Sequence, residues 1–240
     1  MVSENPMFPL RNAGLAAVTA AVLSCLLPSP AAPAANCSAS PVSGVDWTEC
    51  DKKLIILSGS DFSAATLVGT DFTSTDLRDS NLMTANLEKA SLIRASLAGS
   101  HAEGAKFDRI EAYRTNFSGI NAKGATFASA EMQRSNFANA ILVGVDFTKA
   151  DLARGDFNGA DITSTKFAYA NLARADLSKA KFTGPIDFAN SFFLLTRIEG
   201  LDLSGATGLV QWQIDMACGD GNTKLPAGLT AGANWPCAFD

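Results

Sequence analysis

The chain has 240 residues, of which 47% are hydrophobic and 18% are charged, and its formal net charge is −5. This length suits one ordinary domain or one elongated repeat domain. An acidic chain with a pI near 4.9 is poorly suited to general nucleic-acid binding, because the phosphate backbone would repel it. A single histidine and the lack of a Cys-x-x-Cys spacing exclude most zinc sites and most histidine-based catalysis.

Residues 1–35 have the pattern of a secretory signal peptide. Arg11 precedes an apolar run from Ala13 to Leu27, and a Pro/Ala stretch follows. A basic start, a short apolar segment and small residues at the end predict cleavage after Ala34 or Ala35. The run is shorter than the ~20 residues that a membrane-spanning helix needs. The mature protein is therefore expected to be periplasmic or secreted.

A lipoprotein signal is an alternative interpretation of the same segment. Val22-Leu23-Ser24-Cys25 resembles a lipobox, which would place a lipid on Cys25 and anchor the protein to the envelope. Leu26 and Leu27 continue the apolar run beyond this cysteine, which disfavours that interpretation. An uncleaved membrane anchor is the third alternative.

A five-residue period fills the middle of the chain. Every fifth residue from Phe62 to Phe182 is a core candidate, and these 25 positions hold ten Phe, ten Leu, one Ile, one Met and three Ala. The residue two places earlier is almost always small, and the one between is mostly Asp or Asn. Helices repeat apolar residues at 3.6 and strands at 2, so neither period fits. Such a chain can bury its apolar column only by coiling and stacking the coils about 4.8 Å apart.

Two longer periods indicate four units per coil. Phe recurs every tenth residue from Phe107 to Phe167, with smaller or aliphatic residues at the alternate core positions. With four units per coil, Phe lines two opposite walls and the smaller residues line the other two, which fills a narrow core without voids. Arginine recurs every twentieth residue on the outside.

The repeats resemble those of a known family. Ala170-Asn171-Leu172-Ala173-Arg174 is similar to the A-[DN]-L-x-x pattern of the pentapeptide-repeat family, and the resemblance covers about residues 55–205. It implies an all-β fold, a right-handed quadrilateral β-helix, here of about seven coils. After Phe182 the core positions shift by one place near Gly184-Pro185, which predicts a bulge at a corner.

The ends differ in composition from the repeats. Residues 36–54 are predicted to form an N-terminal cap, and residues 206–240 a C-terminal cap with a short helix from about Leu209 to Cys218. Caps are expected because an open coil end exposes unpaired backbone and core side chains.

The cysteines outside the signal peptide predict disulfide bonds. An even number of cysteines in an exported chain favours pairing, and three pairings are possible. We favour Cys37–Cys50 with Cys218–Cys237, because each pair lies within one terminal segment. Four free thiols are the alternative.

No catalytic, cofactor or metal site is predicted. His101, the only histidine, takes the Asp/Asn place of its unit and is expected to point outward into solvent. Asp residues recur throughout the repeats, so their spacing carries no catalytic information, and the glycines form no phosphate-binding motif. The chain is therefore not expected to be an enzyme.

An arginine column is the candidate partner-binding site. Its members share one place in their units: Arg94, Arg114, Arg134, Arg154 and Arg174. Each of the last four arginines is expected to have at least one carboxylate within reach, either three residues before it or two residues after it in the sequence. The column is either a salt-bridge ladder, worth little per exposed pair, or a strip that docks an acidic protein face or a charged glycan.

The sequence favours a non-enzymatic, exported rod that serves as a protein-interaction or scaffolding module. Its expected partner is an unknown protein or anionic envelope component, with no nucleic acid, small-molecule substrate or cofactor. Some pentapeptide-repeat proteins mimic DNA and inhibit type II topoisomerases. That alternative is disfavoured by the signal peptide and by residues 61–183, which carry 14 Lys and Arg against 14 Asp and Glu. A lipid-anchored envelope protein is the other alternative.

Overall fold

The computed structural model describes residues 1–2 and 35–237. The chain divides into two compact units, Met1–Pro33 and Ala34–Asp240, and the second contains the repeats. Cys25 and most of the predicted signal peptide lie outside the described residues. Within residues 1–2 and 35–237, no helix has the length and apolarity needed to cross a membrane.

The repeats form a four-sided β-helix. Parallel β-bridges join residues 20 places apart, from Asp46 with Thr66 to Asp161 with Lys181. Twenty residues at five per unit give four units per coil, which confirms the predicted coil. In the part of the chain that the structure describes, the β structure consists of isolated bridges, one per wall, separated by turns. The right-handed sense of the coil stays a prediction.

Each corner of the coil is a tight turn. At one of them, the Ala65 N–H donates to the Phe62 carbonyl oxygen at 3.0 Å, and Ala64 between them has φ +55°. That hydrogen bond and a positive φ at the third residue define a type II turn. Arg, Lys, Ser and Tyr take the same place at other corners with φ between 57° and 62°. A left-handed conformation costs non-glycine residues roughly 1–2 kcal/mol, so the stacked coils impose the corner geometry.

The Asp/Asn column stabilises these corners from outside. Asp61 Oδ1 accepts the Ser63 N–H at 3.0 Å, and Asp146 Oδ1 accepts the Thr148 N–H at 2.8 Å. This side-chain-to-backbone bond is an Asx turn. The hydrogen bond from the Ser63 backbone holds the pKa of the Asp61 carboxyl below its usual value.

The apolar column forms a continuous core. Phe107 and Phe127 stack on one wall with ring centroids 4.5 Å apart, and Phe117 and Phe137 stack on the opposite wall at 4.9 Å. Rings from opposite walls meet edge to face, as Phe107 and Phe117 do at 6.3 Å. All four are fully buried. The predicted placement of Phe on two opposite walls is confirmed.

The register shifts by one residue after Phe182. Bridges now join residues 21 places apart, as Lys166 does with Asp187 and Asp176 with Arg197. The extra residue lies in the predicted segment, where Gly184 has φ +83°. Phe182 is half-buried there, and the column continues one place later with fully buried members: Phe188, Phe193, Ile198 and Leu203.

The coil register begins earlier than the predicted boundary at residue 55. Trp47 stands in phase with Phe62, is 1% exposed and contacts the Phe62 ring edge to face at 5.2 Å. Lys52 Nζ lies 3.6 Å from the centre of the Trp47 ring and donates to the Cys37 carbonyl oxygen at 2.7 Å. Much of the segment predicted as an N-terminal cap therefore belongs to the first coil, because Trp47 fills a core place.

The C-terminal segment also bridges to the β-helix, at separations of 21 and 22 residues. Bridges join Arg197 to Cys218 and Asp202 to Lys224, beyond the predicted end of the repeats at residue 205. In the sequence between Asp202 and Cys218 lies α1 (Gln211–Met216), which is shorter than the predicted helix. The Gln213 side-chain amide donates to the carbonyl oxygens of Phe188 and Ser191, both at 2.9 Å. This amide satisfies backbone groups on the last coil.

Both terminal segments contain a disulfide bond. Cys37 is bonded to Cys50, and Cys218 to Cys237, with Cα–Cα distances of 5.4 Å in each case. The structure thus has the pairing that the sequence favours. Cys50 and Cys218 are both buried, so each bond ties an outer segment directly to the coil.

Stability is expected to fall in acid. A hydrogen bond from Lys224, with others from Ser204, lowers the pKa of Asp202 to about 2, and the pKa of Asp61 is also lowered. Carboxyls whose pKa is depressed by folding stabilise the protein above their unfolded value of about 3.9 and lose that effect as the pH falls through the folded value. The melting temperature should therefore stay level down to about pH 4 and drop between about pH 4 and pH 2.

Thermal melts from pH 7 to pH 2 test this expectation. The Asp202→Asn variant is the control, because it removes the most depressed carboxyl and should show a shallower drop. A melting temperature that stays constant to pH 2 would contradict it.

An arginine column on one wall is the candidate interaction surface

The five arginines lie in one line on the outside of a corner. Each is exposed and takes the third place of a turn, with φ between 57° and 61°. The Arg114 N–H donates to the Gln133 carbonyl oxygen of the next coil at 3.0 Å, and the Arg134 N–H to that of Ala153 at 2.8 Å. Coils spaced about 4.8 Å apart place the five Cα atoms along about 19 Å. The structure therefore brings together all five residues of the predicted strip.

The prediction that the arginines form a salt-bridge ladder is wrong. Within the described residues, none of the five arginines forms an ion pair. Arg114 instead lies over the ring of Tyr113, 5.2 Å from its centre. The column is a line of cations whose charge is not neutralised by direct contact.

Two of the neighbouring carboxylates, Asp151 and Asp176, already accept hydrogen bonds from other groups. Asp151 accepts the Ala153 N–H at 3.1 Å and side-chain amide groups of Gln133 at 2.7 Å and Asn171 at 3.0 Å. Asp176 accepts the Ser178 N–H and an N–H of Arg197 at 3.0 Å. These carboxylates stabilise corners and neighbouring coils, so they do not turn toward the arginines.

The arginine column is one edge of a wall of the β-helix. We call this wall the arginine wall. It comprises residues 91–94, 111–114, 131–134, 151–154, 171–174 and 192–195. Along its other edge runs an acidic column, Glu111, Glu131 and Asp151. Glu111 and Glu131 are exposed. Their backbones take part in the bridges, whereas their side-chain carboxylates form no ion pair with the described residues. Between the two edges lies a middle line of outward-facing residues: Ile93, Tyr113, Gln133, Ala153, Ala173 and Leu194.

Other candidate sites carry no converging chemistry. His101 is exposed in the Asp/Asn column, bridged to Asn81 and Asn121, as its place in the repeat predicts. Among the described residues, no group of three or more His, Cys, Asp or Glu side chains could hold a metal ion. An open cavity of about 450 Å³ lies at the register shift and has these lining residues: Phe182, Gly184, Pro185, Asp202, Ser204 and Gly205.

Comparison with known proteins defines the family. The family model for pentapeptide repeats matches eight copies, over residues 55–92, 90–127, 113–142, 130–167 and 146–184. The chain therefore belongs to the pentapeptide-repeat family. No curated protein shows significant similarity to it.

Solved structures show the same fold. HetL, a pentapeptide-repeat protein involved in heterocyst differentiation regulation from the cyanobacterium Nostoc sp. strain PCC 7120, is 22% identical with a TM-score of 0.52, over 82% of this chain and 91% of HetL. A trypsin-treated form of QnrB1, a plasmid-mediated fluoroquinolone resistance protein, is 17% identical with a TM-score of 0.60, over 76% of this chain and 88% of QnrB1. At these identities the likeness concerns the fold alone.

Proposed function

We propose that this pentapeptide-repeat protein is an exported, non-enzymatic rod that binds an acidic protein partner through the arginine column, in the periplasm or at the cell envelope. Pentapeptide-repeat proteins are generally structural or interaction proteins. Two disulfide bonds support export, because such bonds persist in oxidising compartments. The five exposed arginines, which form no ion pair within residues 1–2 and 35–237, carry the proposal.

The terminal segments serve as caps in this proposal. At the N-terminal end, Lys52 lies over the Trp47 ring, and the Cys37–Cys50 bond ties the preceding segment to the first coil. At the C-terminal end, α1 satisfies carbonyl groups of the last coil through Gln213. Covered ends keep solenoids from pairing end to end through unpaired backbone.

Mass spectrometry of the protein from envelope fractions tests export. The expected mature chain begins at Ala35 or Asn36 and carries both disulfide bonds. A chain that begins at a lipid-modified Cys25 would instead establish the anchored alternative, and an uncleaved chain recovered from the cytoplasm would contradict export.

Removing three charges from the arginine column should weaken partner binding without unfolding the rod. Asn is suited to replace Arg114, Arg134 and Arg154, because Asn139 and Asn190 take the same corner place with φ 58° and 56°. Exposed ion pairs contribute about 0.5 kcal/mol each, so the triple variant should bind about tenfold more weakly. Its melting temperature should stay close to that of the wild type, because surface substitutions usually change stability little.

Proximity labelling in the source cell identifies the partner, and titration with the purified partner then measures the affinity. The matched control replaces the same three arginines with lysine, which keeps the charge and occurs at this corner place as Lys89 and Lys149. Equal labelling by the wild type and the asparagine variant would contradict the proposal, as would a large drop in melting temperature with unchanged binding.

A further inference from the structure

The arginine wall is self-complementary. Across each of three successive coils, the wall carries a carboxylate at one edge and an arginine at the other: Glu111 with Arg114, Glu131 with Arg134, and Asp151 with Arg154. The two columns run parallel at the same heights, because both follow the 20-residue bridge register. The two kinds of charge are thus separated across the wall and repeated along it.

A two-fold axis parallel to the coil stack makes this pattern match itself. Such an axis lies midway between two facing walls. It places the left edge of one wall opposite the right edge of the other and leaves each coil at the same height along the stack. Glu111 then faces the partner's Arg114, and Glu131 faces the partner's Arg134, with the same contacts repeated in the reciprocal sense, as an isologous interface requires. A two-fold axis in the same plane but perpendicular to the coil stack would instead place the two arginine columns opposite each other.

We propose that two copies of the chain associate side by side through their arginine walls, with the coil stacks parallel. This inference rests on the proposed function, because it assigns a second copy as an acidic partner of the arginine column. Among the described residues, the side-chain carboxylates of Glu111 and Glu131 form no ion pair, and the guanidinium groups of Arg114 and Arg134 form none either. For Glu111 and Glu131 with the partner's Arg114 and Arg134, the pairing breaks no ion pair that the single chain already makes.

The middle line of the wall suits such a contact. Ile93, Ala153, Ala173 and Leu194 are apolar, and Leu194 is 40% exposed although it lies in a well-formed coil. Phe192, beside it on the same wall, is 42% exposed. Near the two-fold axis the apolar side chains of the middle line would meet their own copies and lose contact with water, with charged edges on both sides, which is the usual anatomy of an interface. Phe192 lies in the bridged column at the edge, so it would face the opposite edge of the partner's wall.

A linear polyanion fits the wall less well. It would lie within one wall's width, about 10 Å, of the acidic column, which repels it. A second copy supplies both signs of charge in the matching order. The contact is narrow for a protein interface, so association is expected to depend on protein concentration and to weaken as salt screens the charges.

The first measurement is the mass of the purified protein in solution over a concentration series. At low ionic strength the average mass should rise from one copy toward two, and 1 M salt should return it toward one. A protein that remains a single copy throughout would overturn the proposal.

Charge exchange tests the geometry. One variant carries Arg114→Glu and Arg134→Glu, and the other carries Glu111→Arg and Glu131→Arg. Glutamate occurs at the corner place as Glu49, and arginine occurs in the bridged column as Arg197, so both changes suit the backbone. Each variant alone should remain a single copy, because like charges then face each other across the axis. An equimolar mixture should regain the twofold mass, since each edge again meets the opposite charge.

Cysteine cross-linking locates the axis. Ala153→Cys places a thiol on the middle line, whereas the control Ala138→Cys places one at the equivalent, half-buried place of the next wall. Mild oxidation should join two Ala153→Cys chains and leave Ala138→Cys chains single. Equal cross-linking of the two variants would overturn the proposed axis.

The two proposals fail separately. A wild-type protein that stays a single copy, together with an asparagine triple variant that loses its envelope partner, contradicts self-association and leaves the interaction function standing. Self-association that charge exchange abolishes and restores, with identical envelope labelling by all variants, supports the dimer and contradicts a separate acidic partner.

Discussion

Replacing Phe127 with alanine is expected to lower the free energy of unfolding by about 3–5 kcal/mol. The ring is fully buried and stacks between Phe107, at 4.5 Å, and Phe147, at 5.1 Å. It also meets Phe117 and Phe137 edge to face, at 5.9 and 6.2 Å. Truncation therefore removes contacts with four rings, and the stacked backbone cannot close the cavity because the bridges hold the coils apart at a fixed spacing.

The matched control is Phe192→Ala, because Phe192 belongs to the same β-helix but is 42% exposed. It should cost less than about 1 kcal/mol in dilute protein. Urea denaturation followed by circular dichroism measures both variants. Equal losses for the two would contradict the assignment of Phe127 to a filled core.

Removing the Cys218–Cys237 bond is expected to lower the free energy of unfolding by about 3 kcal/mol. The bond closes a loop across 19 residues and ties the buried Cys218, which bridges to Arg197, to a segment with little other pairing. Trp235 in that segment donates its ring N–H to the Ala217 carbonyl oxygen at 2.7 Å. This contact depends on the loop being held near the coil.

Denaturation of the Cys218→Ala, Cys237→Ala double variant measures this loss of stability. The Cys37→Ala, Cys50→Ala double variant measures the corresponding loss for the N-terminal bond, whose cysteines are 13 residues apart. Reductant should destabilise the wild type and have a smaller effect on each variant. Alkylation of four thiols in the native, unreduced protein would show that neither bond forms.

The repeat architecture could be predicted because one physical constraint repeats many times. Apolar side chains every fifth residue leave the backbone only one way to bury them, and the ten-residue spacing of Phe107 to Phe167 distributes the large rings between opposite walls. The register shift near Gly184 was visible for the same reason, since the core residues from Phe188 to Leu203 all move by one place.

The ends of the β-helix were harder to predict, because side chains there act outside the consensus. Lys52 occupies a core place, which hides the phase that links Trp47 to Phe62. Its methylene chain covers the core while its ammonium group binds the Cys37 carbonyl oxygen, a dual role that composition does not reveal. Ile55 and Ile56 likewise replace the usual small and Asp/Asn residues, and Ile56 is 80% exposed.

The pairing of the arginine column could not be predicted from spacing alone. Asp151 and Asp176 lie close enough in sequence to suggest ion pairs with Arg154 and Arg174. Their oxygens instead accept hydrogen bonds that fix a corner and join coils. In these turns the Asp carboxylate accepts backbone hydrogen bonds instead of pairing with an arginine of the column. The sequence spacing does not reveal this, because it depends on the three-dimensional geometry of the turn.

A crystal structure of the purified protein tests the fold most directly. We expect 20-residue coils, with Phe107 and Phe117 inside the core and Arg114 and Arg134 on the surface. Phe107 and Phe117 on the outer surface, or α-helices between Phe62 and Phe182, would contradict it.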